Sequence, residues 1–178
     1  TIPHKLHVMP FLDGIADEAK AIGAVNTIKF TQQGAFGYNT DYFGFGRMLE
    51  YNEIFVKDQV CVVLGSGGAA RAVVKYISDA GASKIYLVTR DPETCDPDFK
   101  KMASCLDVIS YEELTAIKGY CLVNCTPVGM FPKVDASPIP ATVNAHFEAS
   151  VDAIYNPAET KFLAQAKACN KKAVNGLF

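Results

Sequence analysis

The stretch Val60-Cys61-Val62-Val63-Leu64-Gly65-Ser66-Gly67-Gly68-Ala69-Ala70-Arg71 decides the fold class of this chain. Its first five residues are apolar and predict a buried strand, and the glycine-rich turn leads directly into a helical pattern. In that position Gly65 lets the strand turn sharply, Gly67 lets backbone approach a pyrophosphate, and the small Ala70 lets the helix lie close to the sheet. The free N–H groups at the start of the helix then face an anion. The turn therefore predicts a dinucleotide site rather than an ordinary strand-to-helix turn, with candidate contacts at Gly65, Ser66, Gly67, Gly68 and Ala69.

The end of the next predicted strand bears on the choice of cofactor. After Lys84-Ile85-Tyr86-Leu87-Val88 come Thr89-Arg90-Asp91. In a sheet of this type that strand end lies beside the adenosine ribose, where an acidic residue binds the ribose hydroxyls of NAD and an arginine pairs with the 2′-phosphate of NADP. Because Arg90 comes first, the sequence favours NADP and leaves NAD open, and Arg90 as a solvated surface charge is the alternative.

Composition favours a globular enzyme. The 178 residues are 49% hydrophobic and 20% charged, enough to bury a core. A net charge of −2 and a pI near 5.9 give no long-range attraction to nucleic acid or an anionic membrane, so neither partner is expected. The cysteines form no C-x-x-C pair, which favours reduced thiols in a cytoplasmic protein over a zinc site. Because the sequence opens at Thr1 without a methionine, we expect it to be part of a longer protein.

Strands and helices alternate along most of the chain. Strands are predicted near residues 60–64, 84–89, 105–109, 120–124, 150–155 and 172–175, and earlier at 24–30. Helices are predicted at 14–22, 42–51 and 69–80. This alternation predicts an α/β fold, a Rossmann-like parallel sheet with helices on both faces. We assign residues 42–178 to this NADP-binding domain and residues 1–41 to the rear part of a smaller α/β substrate-binding domain, with the substrate in the cleft between them.

Three polar residues of the first segment are candidates for chemistry. Lys5 follows a proline in a loop, Asn26 lies in an otherwise apolar strand, and Asp41 ends an Asn-Thr-Asp turn at a helix start. Each also has an ordinary structural interpretation. Lys5 would be a solvated lysine, Asn26 would satisfy a strand edge, and Asp41 or Thr40 would be the N-cap of the following helix.

Taken together, these residues and the glycine turn resemble the shikimate dehydrogenase family. The resemblance rests on seven ordered motifs that span the supplied chain: Thr1-Ile2-Pro3-His4-Lys5, Gly23-Ala24-Val25-Asn26-Thr27, Gly37-Tyr38-Asn39-Thr40-Asp41 with Gly44-Phe45, residues 65–71, Asn124-Cys125-Thr126-Pro127-Val128-Gly129-Met130, Asp152-Ala153-Ile154-Tyr155-Asn156-Pro157, and Gly176-Leu177.

The resemblance implies reversible NADPH-dependent reduction of 3-dehydroshikimate to shikimate, a step of aromatic amino-acid biosynthesis. It implies that Lys5 exchanges the proton at the C3 oxygen and that Asp41 holds and tunes Lys5, which fits the need for a proton where hydride transfer builds charge on oxygen. The other implied contacts are Asn26 and Thr1 with ring hydroxyls, Tyr155 and Gly176 beside nicotinamide and substrate, and Thr126 and Met130 on the nicotinamide side. For Thr126 and Met130 the alternative is a strand-end turn followed by a packed methionine.

Departures from the family pattern keep two other functions open. Thr89-Arg90-Asp91 stands where the family has Asn-Arg-Thr, and the added carboxylate would repel a 2′-phosphate. The family's serine pair for the substrate carboxylate and its closing glutamine lie outside this sequence. An NAD-using quinate/shikimate dehydrogenase therefore remains an alternative, as does a non-catalytic sensor, although a sensor would have no need of both Lys5 and Asp41. The expected partner is the small-molecule substrate, and the chain is expected to be a monomer or a homodimer.

Overall fold

Two β-sheets organise the chain in the computed structural model, which describes residues 4–177. Thr1, a predicted substrate contact, lies outside the described residues. The elements of the first part are β1 (Gly14–Ile15), α1 (Asp17–Ile22), β2 (Thr27–Thr31), β3 (Gly34–Tyr38) and α2 (Asp41–Tyr51). Those of the second part are β4 (Val60–Leu64), α3 (Gly68–Asp79), β5 (Lys84–Val88), α4 (Pro97–Met102), β6 (Leu106–Ile109), α5 (Tyr111–Leu114), β7 (Cys121–Asn124), α6 (Ala141–Asn144), β8 (Ala149–Asp152), α7 (Lys161–Ala168) and β9 (Lys172–Val174).

The larger sheet confirms the predicted fold class. Its strand order is β6-β5-β4-β7-β8-β9, and every neighbouring pair is parallel. This is the doubly wound Rossmann order, in which chain direction along the sheet reverses between β4 and β7. Ligands of such sheets bind outside the carboxyl ends of the strands at that reversal. The glycine turn after β4 and the loop after β7 meet there.

The centre of the sheet is buried on both faces because its inner strands, such as β4, are apolar runs. Successive residues of β4 face opposite sides, and the side chains from Cys61 to Leu64 have no exposed surface. Cys61 and Val63 pack in one apolar cluster with α3, whereas Val62 and Leu64 pack in a second cluster with α7. Helices on both faces thus fix the sheet, and the strand ends supply the functional loops.

The smaller sheet has the order β1-β3-β2, with β1 parallel and β2 antiparallel to β3. Two sequence predictions are wrong here. The helix predicted at residues 14–22 begins only at Asp17, because Gly14 and Ile15 pair with β3. The strand predicted at residues 24–30 begins at Thr27, because the N–H of Val25 donates to the Lys5 carbonyl (2.8 Å) instead of joining the sheet.

The helix α2 leads from the smaller sheet to the larger one. It packs on α3, where its Phe45, Met48 and Leu49 join the apolar cluster of the large sheet. Gly46 allows this close packing, since a Cβ placed on it would lie 2.2 Å from Cε2 of Tyr76. The division into domains at residues 41 and 42 stays a prediction. Among residues 4–177, no helix has the length and apolar character that crossing a bilayer requires.

Candidate active site

An ion pair between the Lys5 ammonium and the Asp41 carboxylate forms the centre of the candidate site. The Lys5 side chain is 14% exposed and that of Asp41 33%, so the pair lies partly shielded from water. Asn26 completes the group, because its Nδ2 donates to Oδ1 of Asp41 (2.8 Å). The structure thus brings together three residues that are far apart in sequence, each named as a candidate from the sequence.

Asn39 holds the turn that presents Asp41, a role that the sequence analysis missed. The buried Asn39 accepts hydrogen bonds at Oδ1 from the backbone N–H groups of Asp41 (3.0 Å) and Tyr42 (3.4 Å), and its Nδ2 donates to the carbonyl of Ala24 (2.9 Å). Thr40 occupies the N-cap position, but its hydroxyl does not cap α2. The capping role suggested for Asp41 or Thr40 is therefore wrong, and the Asp41 carboxylate is left for Lys5 and Asn26.

The stem of Lys5 lies against the start of α3. A Cβ placed on Gly68 would be 3.0 Å from Cδ and 3.1 Å from Cβ of Lys5. The absence of a side chain at Gly68 therefore leaves room for the lysine. Through this contact the ion pair and the glycine turn become parts of one site.

A cavity of about 570 Å³ opens beside the ion pair. Its size is typical of small-molecule sites. Six predicted site residues line it: Lys5, Asn26, Asp41, Ala69, Tyr155 and Gly176. The other predicted cofactor contacts within residues 4–177 are not among its lining residues: Gly65, Ser66, Gly67, Gly68, Arg90, Thr126 and Met130. A separate cavity of about 300 Å³, bordered by Tyr51 and Lys167, contains none of the predicted site residues.

The glycine turn fits a pyrophosphate. Gly65 has a φ of +92°, and a Cβ placed on Gly67 would meet no heavy atom within 4 Å. No side chain caps the start of α3, and no acidic residue lies in its first turn. The turn therefore offers open backbone and uncapped N–H groups at a helix start of positive potential, as the backbone approach of a dinucleotide requires.

The two charged residues of the loop after β5, Arg90 and Asp91, make different interactions. Asp91 accepts hydrogen bonds at Oδ1 from the backbone N–H groups of Glu93 (3.2 Å) and Thr94 (3.4 Å), so its carboxylate folds its own loop. Arg90 is exposed and makes no ion pair within residues 4–177. Of the two side chains, Arg90 is thus the one available to a ligand phosphate.

A buried polar cluster at the ends of β7 and β8 has no counterpart among the predicted site residues. Asn124 and Asp152 are register partners on these strands, and Nδ2 of Asn124 donates to Oδ1 of Asp152 (3.0 Å). Burial raises the pKa of Asp152 to about 6, although hydrogen bonds from Thr160, Ile154 and Asn124 act in the opposite direction. Burial, with the nearby carboxylates, also raises the pKa of the Cys125 thiol. The available sequence signal was that Asn124 and Asp152 each lie in a predicted strand and each begin one of the motifs that resemble the known family.

Because the pKa of Asp152 is raised, the free energy of unfolding should depend on pH. Because Asp152 binds its proton more tightly in the folded chain, its contribution to the free energy of unfolding is greatest below its ordinary pKa near 3.8 and is lost as pH rises through about 6. Relative to Asp152→Asn, the unfolding free energy of the wild type should fall by at most about 3 kcal/mol between pH 4 and 7. Urea denaturation at several pH values measures the difference, and a constant difference would contradict this prediction.

Comparison with known proteins gives consistent matches along the whole chain. The family model described as the shikimate dehydrogenase substrate binding domain matches residues 1–28. A curated relative from Clostridium beijerinckii, named shikimate dehydrogenase (NADP(+)), is 49% identical over 177 residues, which are 99% of this chain and 64% of the relative.

Solved structures agree with the curated relatives. A chorismate mutase/shikimate 5-dehydrogenase fusion protein from Clostridium acetobutylicum is 50% identical with a TM-score of 0.90, over 99% of this chain and 63% of that one. The shikimate 5-dehydrogenase from Thermus thermophilus, solved with NADP(H) and shikimate, is 36% identical with a TM-score of 0.83, over 98% and 64%. The chain thus spans slightly less than two thirds of the length of these relatives.

Proposed function

We propose that this chain is part of a member of the shikimate dehydrogenase family and carries the cofactor site and the acid–base pair of an enzyme that reversibly reduces 3-dehydroshikimate to shikimate with NADPH. The observation that carries the proposal is the Lys5–Asp41 ion pair, which borders a cavity shared with the first turn of α3. A proton-transfer group and a cofactor turn on one cavity are what ketone reduction requires.

In the proposed mechanism Lys5 supplies the proton. Bound NADPH would supply the hydride to the ketone carbon. As the ketone oxygen gains negative charge, the Lys5 ammonium donates a proton to it within hydrogen-bond reach. In the reverse direction neutral Lys5 accepts the hydroxyl proton. Asp41 keeps Lys5 oriented through the ion pair, and Asn26 keeps Asp41 oriented through the 2.8 Å hydrogen bond.

The substrate contacts follow from the lining of the cavity. Asn26 and Tyr155 both face the space beside Lys5, and we propose that they bind ring hydroxyls and the ring itself. Tyr155 is 65% exposed, so a ligand in the cavity would cover apolar surface there. Gly176 lies at the same wall, where we propose that it contacts the nicotinamide. For Thr126, Met130 and Thr1 the roles implied by the family resemblance remain proposals.

We propose NADP as the cofactor. The relative from Clostridium beijerinckii is named for NADP(+), and Arg90 is exposed at the strand end while Oδ1 of Asp91 is bound to N–H groups of its own loop. The NAD-using quinate/shikimate dehydrogenase is the second candidate, because a carboxylate does lie next to Arg90. Initial rates of the full-length protein with NADP or NAD, and with shikimate or quinate, separate the two. Reduction of NADP by shikimate alone supports the first function, and comparable rates with NAD and quinate support the second.

Replacing Arg90 by alanine should raise the KM for NADP by about 10- to 100-fold, the loss expected for one charge-assisted contact to phosphate. The KM for NAD should change little, because NAD lacks the 2′-phosphate. Asp91→Asn is the matched control, since asparagine keeps an acceptor for the loop and removes the charge. It should preserve the preference for NADP. An unchanged KM for NADP in Arg90→Ala would assign Arg90 to the solvated surface.

We also propose a cytoplasmic enzyme with no nucleic-acid or membrane partner, present as a monomer or a homodimer. The net charge of −2 and the six free cysteines of the described chain support this assignment. Analytical ultracentrifugation of the full-length protein would give the oligomeric state.

A further inference from the structure

Asp152 is a carboxylate with no exposed surface at the carboxyl end of β8. It accepts three hydrogen bonds, at Oδ1 from Nδ2 of Asn124 (3.0 Å) and the N–H of Ile154 (3.0 Å), and at Oδ2 from the hydroxyl of Thr160 (2.6 Å). No lysine or arginine pairs with it in the part of the chain that the structure describes. A buried carboxylate without a countercharge is costly to bury, and here the three hydrogen bonds offset part of that cost.

The first donor connects Asp152 to the glycine turn. Asn124 accepts hydrogen bonds at its own Oδ1 from the N–H (3.0 Å) and the hydroxyl (2.7 Å) of Thr126. The Thr126 methyl in turn lies against Gly65, where an added Cβ would be 2.9 Å from Cγ2 of Thr126. The position of the loop after β7 therefore depends on Asp152 through one buried amide.

The other two donors connect Asp152 to the far wall of the cavity. Ile154 lies next to Tyr155, and its carbonyl accepts from the N–H of Gly176 (3.2 Å). Thr160 is the N-cap of α7 and accepts from the N–H of Leu163 (3.4 Å). The loop after β8 and the start of α7 thus share one buried acceptor, and the loop after β9 is joined to it through the carbonyl of Ile154.

We propose that Asp152 is a positioning residue, which holds the loops after β7 and β8 in one arrangement beside the glycine turn and so fixes where a bound nicotinamide lies relative to Lys5. The inference rests on the proposed function and assigns a role to a residue that touches neither Lys5 nor the cavity. In its carboxylate form Asp152 accepts from all three groups. A protonated acid or an amide would place a hydrogen at Oδ2, where the Thr160 hydroxyl now donates, and would turn that hydroxyl into an acceptor.

The arrangement should consequently respond to pH. Burial raises the pKa of Asp152 to about 6. The carboxylate that accepts the three hydrogen bonds is therefore protonated in mildly acidic solution. The ionisable groups on the neighbouring elements include one thiol and two lysines, and both lysine ammonium groups are bound to backbone carbonyls elsewhere. From the loop after β7, the Cys125 thiol has a raised pKa and stays neutral. From α7, Lys161 is hydrogen-bonded to the carbonyl of Asp135, and from β9, Lys172 is hydrogen-bonded to the carbonyl of Asn52.

The test is the pH dependence of kcat in Asp152→Asn and wild-type full-length enzyme. The wild type should lose activity as pH falls through about 6, whereas the variant should have kcat lowered by about 10- to 100-fold at pH 7.5 and lack this inflection, because a small misplacement of reacting groups has effects of that size. Ser150→Ala is the matched control. Ser150 lies on the same strand, is equally buried, and donates only to Asn144 (2.8 Å), so its variant should keep both kcat and the inflection.

A second variant keeps the proposal testable if Asp152→Asn does not fold. Thr160→Val removes one donor to the carboxylate, which should move the inflection to higher pH because the charged form loses support. An Asp152→Asn enzyme that is less stable but has unchanged kcat and an unchanged pH profile per folded molecule would overturn the proposal, as would an unmoved inflection in Thr160→Val.

A readout that needs no catalysis separates this inference from the proposed function. The amide proton shifts of Thr126 and Ile154 in the wild type should titrate together with a midpoint near 6, and they should not do so in Asp152→Asn. A wild type without turnover would refute the proposed function while these shifts still decide whether Asp152 holds the two loops. Independent behaviour of the two amides would refute the positioning role.

Discussion

Replacing Lys5 by alanine is expected to lower the turnover number of the full-length enzyme by about 10²-fold or more, the usual scale for losing a general acid. The physical reason is that the developing charge on the ketone oxygen would then have no proton donor in the cavity beside Asp41. The affinity for NADP should change little, because no predicted contact to the cofactor is removed. Steady-state rates and a fluorescence titration with NADPH measure the two quantities.

Lys20→Ala provides the matched control for that experiment. Lys20 belongs to the same segment, but its side chain is 61% exposed and pairs only with Asp17 at the surface. Its removal should leave the turnover number within a factor of about two, since surface ion pairs contribute little. If Lys5→Ala has the same turnover number as the wild type, Lys5 does not transfer the proton and is an ordinary solvated lysine.

The second large effect is expected from Gly65→Ala. Gly65 has a φ of +92°, and an alanine Cβ there would lie 2.9 Å from Cγ2 of Thr126 and 3.4 Å from the backbone carbon of Cys125. The strained backbone and the contact should lower the free energy of unfolding by about 1–3 kcal/mol. They should also raise the dissociation constant for NADPH by about tenfold or more, because the turn must shift away from the position that approaches the pyrophosphate.

Gly44→Ala is the stability control for this variant. Gly44 lies inside α2 at an ordinary φ, and a Cβ there would meet no heavy atom within 4 Å. Alanine at such a site should raise the free energy of unfolding by about 0.5–1 kcal/mol, because it reduces the freedom of the unfolded chain. If urea denaturation finds Gly65→Ala as stable as the wild type, the turn is not constrained as the structure indicates.

The large sheet was predictable from the sequence because its central strands β5, β4 and β7 are short apolar runs bounded by turn residues. Strand β1 was not predictable, since it has two residues and exists only through pairing with β3. For the same reason the start of α1 was misplaced. Local pattern thus determined the buried parallel strands, whereas tertiary pairing determined the edges of the small sheet.

The candidate site was also predictable only in part. Lys5 and Asp41 were identifiable because the sequence motifs around them resemble a known family, and the structure brings them together. The roles of Asn39, Asp91 and Asp152 could not be predicted, since each depends on the direction in which a polar side chain points. Asp91 looked like a competitor of Arg90, yet its carboxylate accepts N–H groups of its own loop. The hydrogen-bond partner of a polar side chain depends on the three-dimensional structure and leaves no periodic pattern in the sequence.

In the proposed function, shikimate reacts in the cavity that the Lys5–Asp41 pair shares with the first turn of α3. A crystal structure of the full-length protein with shikimate and NADP tests it most directly. We expect a shikimate hydroxyl within hydrogen-bond distance of Nζ of Lys5, inside the cavity of about 570 Å³, with the pyrophosphate at the start of α3. Shikimate bound without contact to Lys5, for example in the separate cavity of about 300 Å³ bordered by Tyr51, would contradict it.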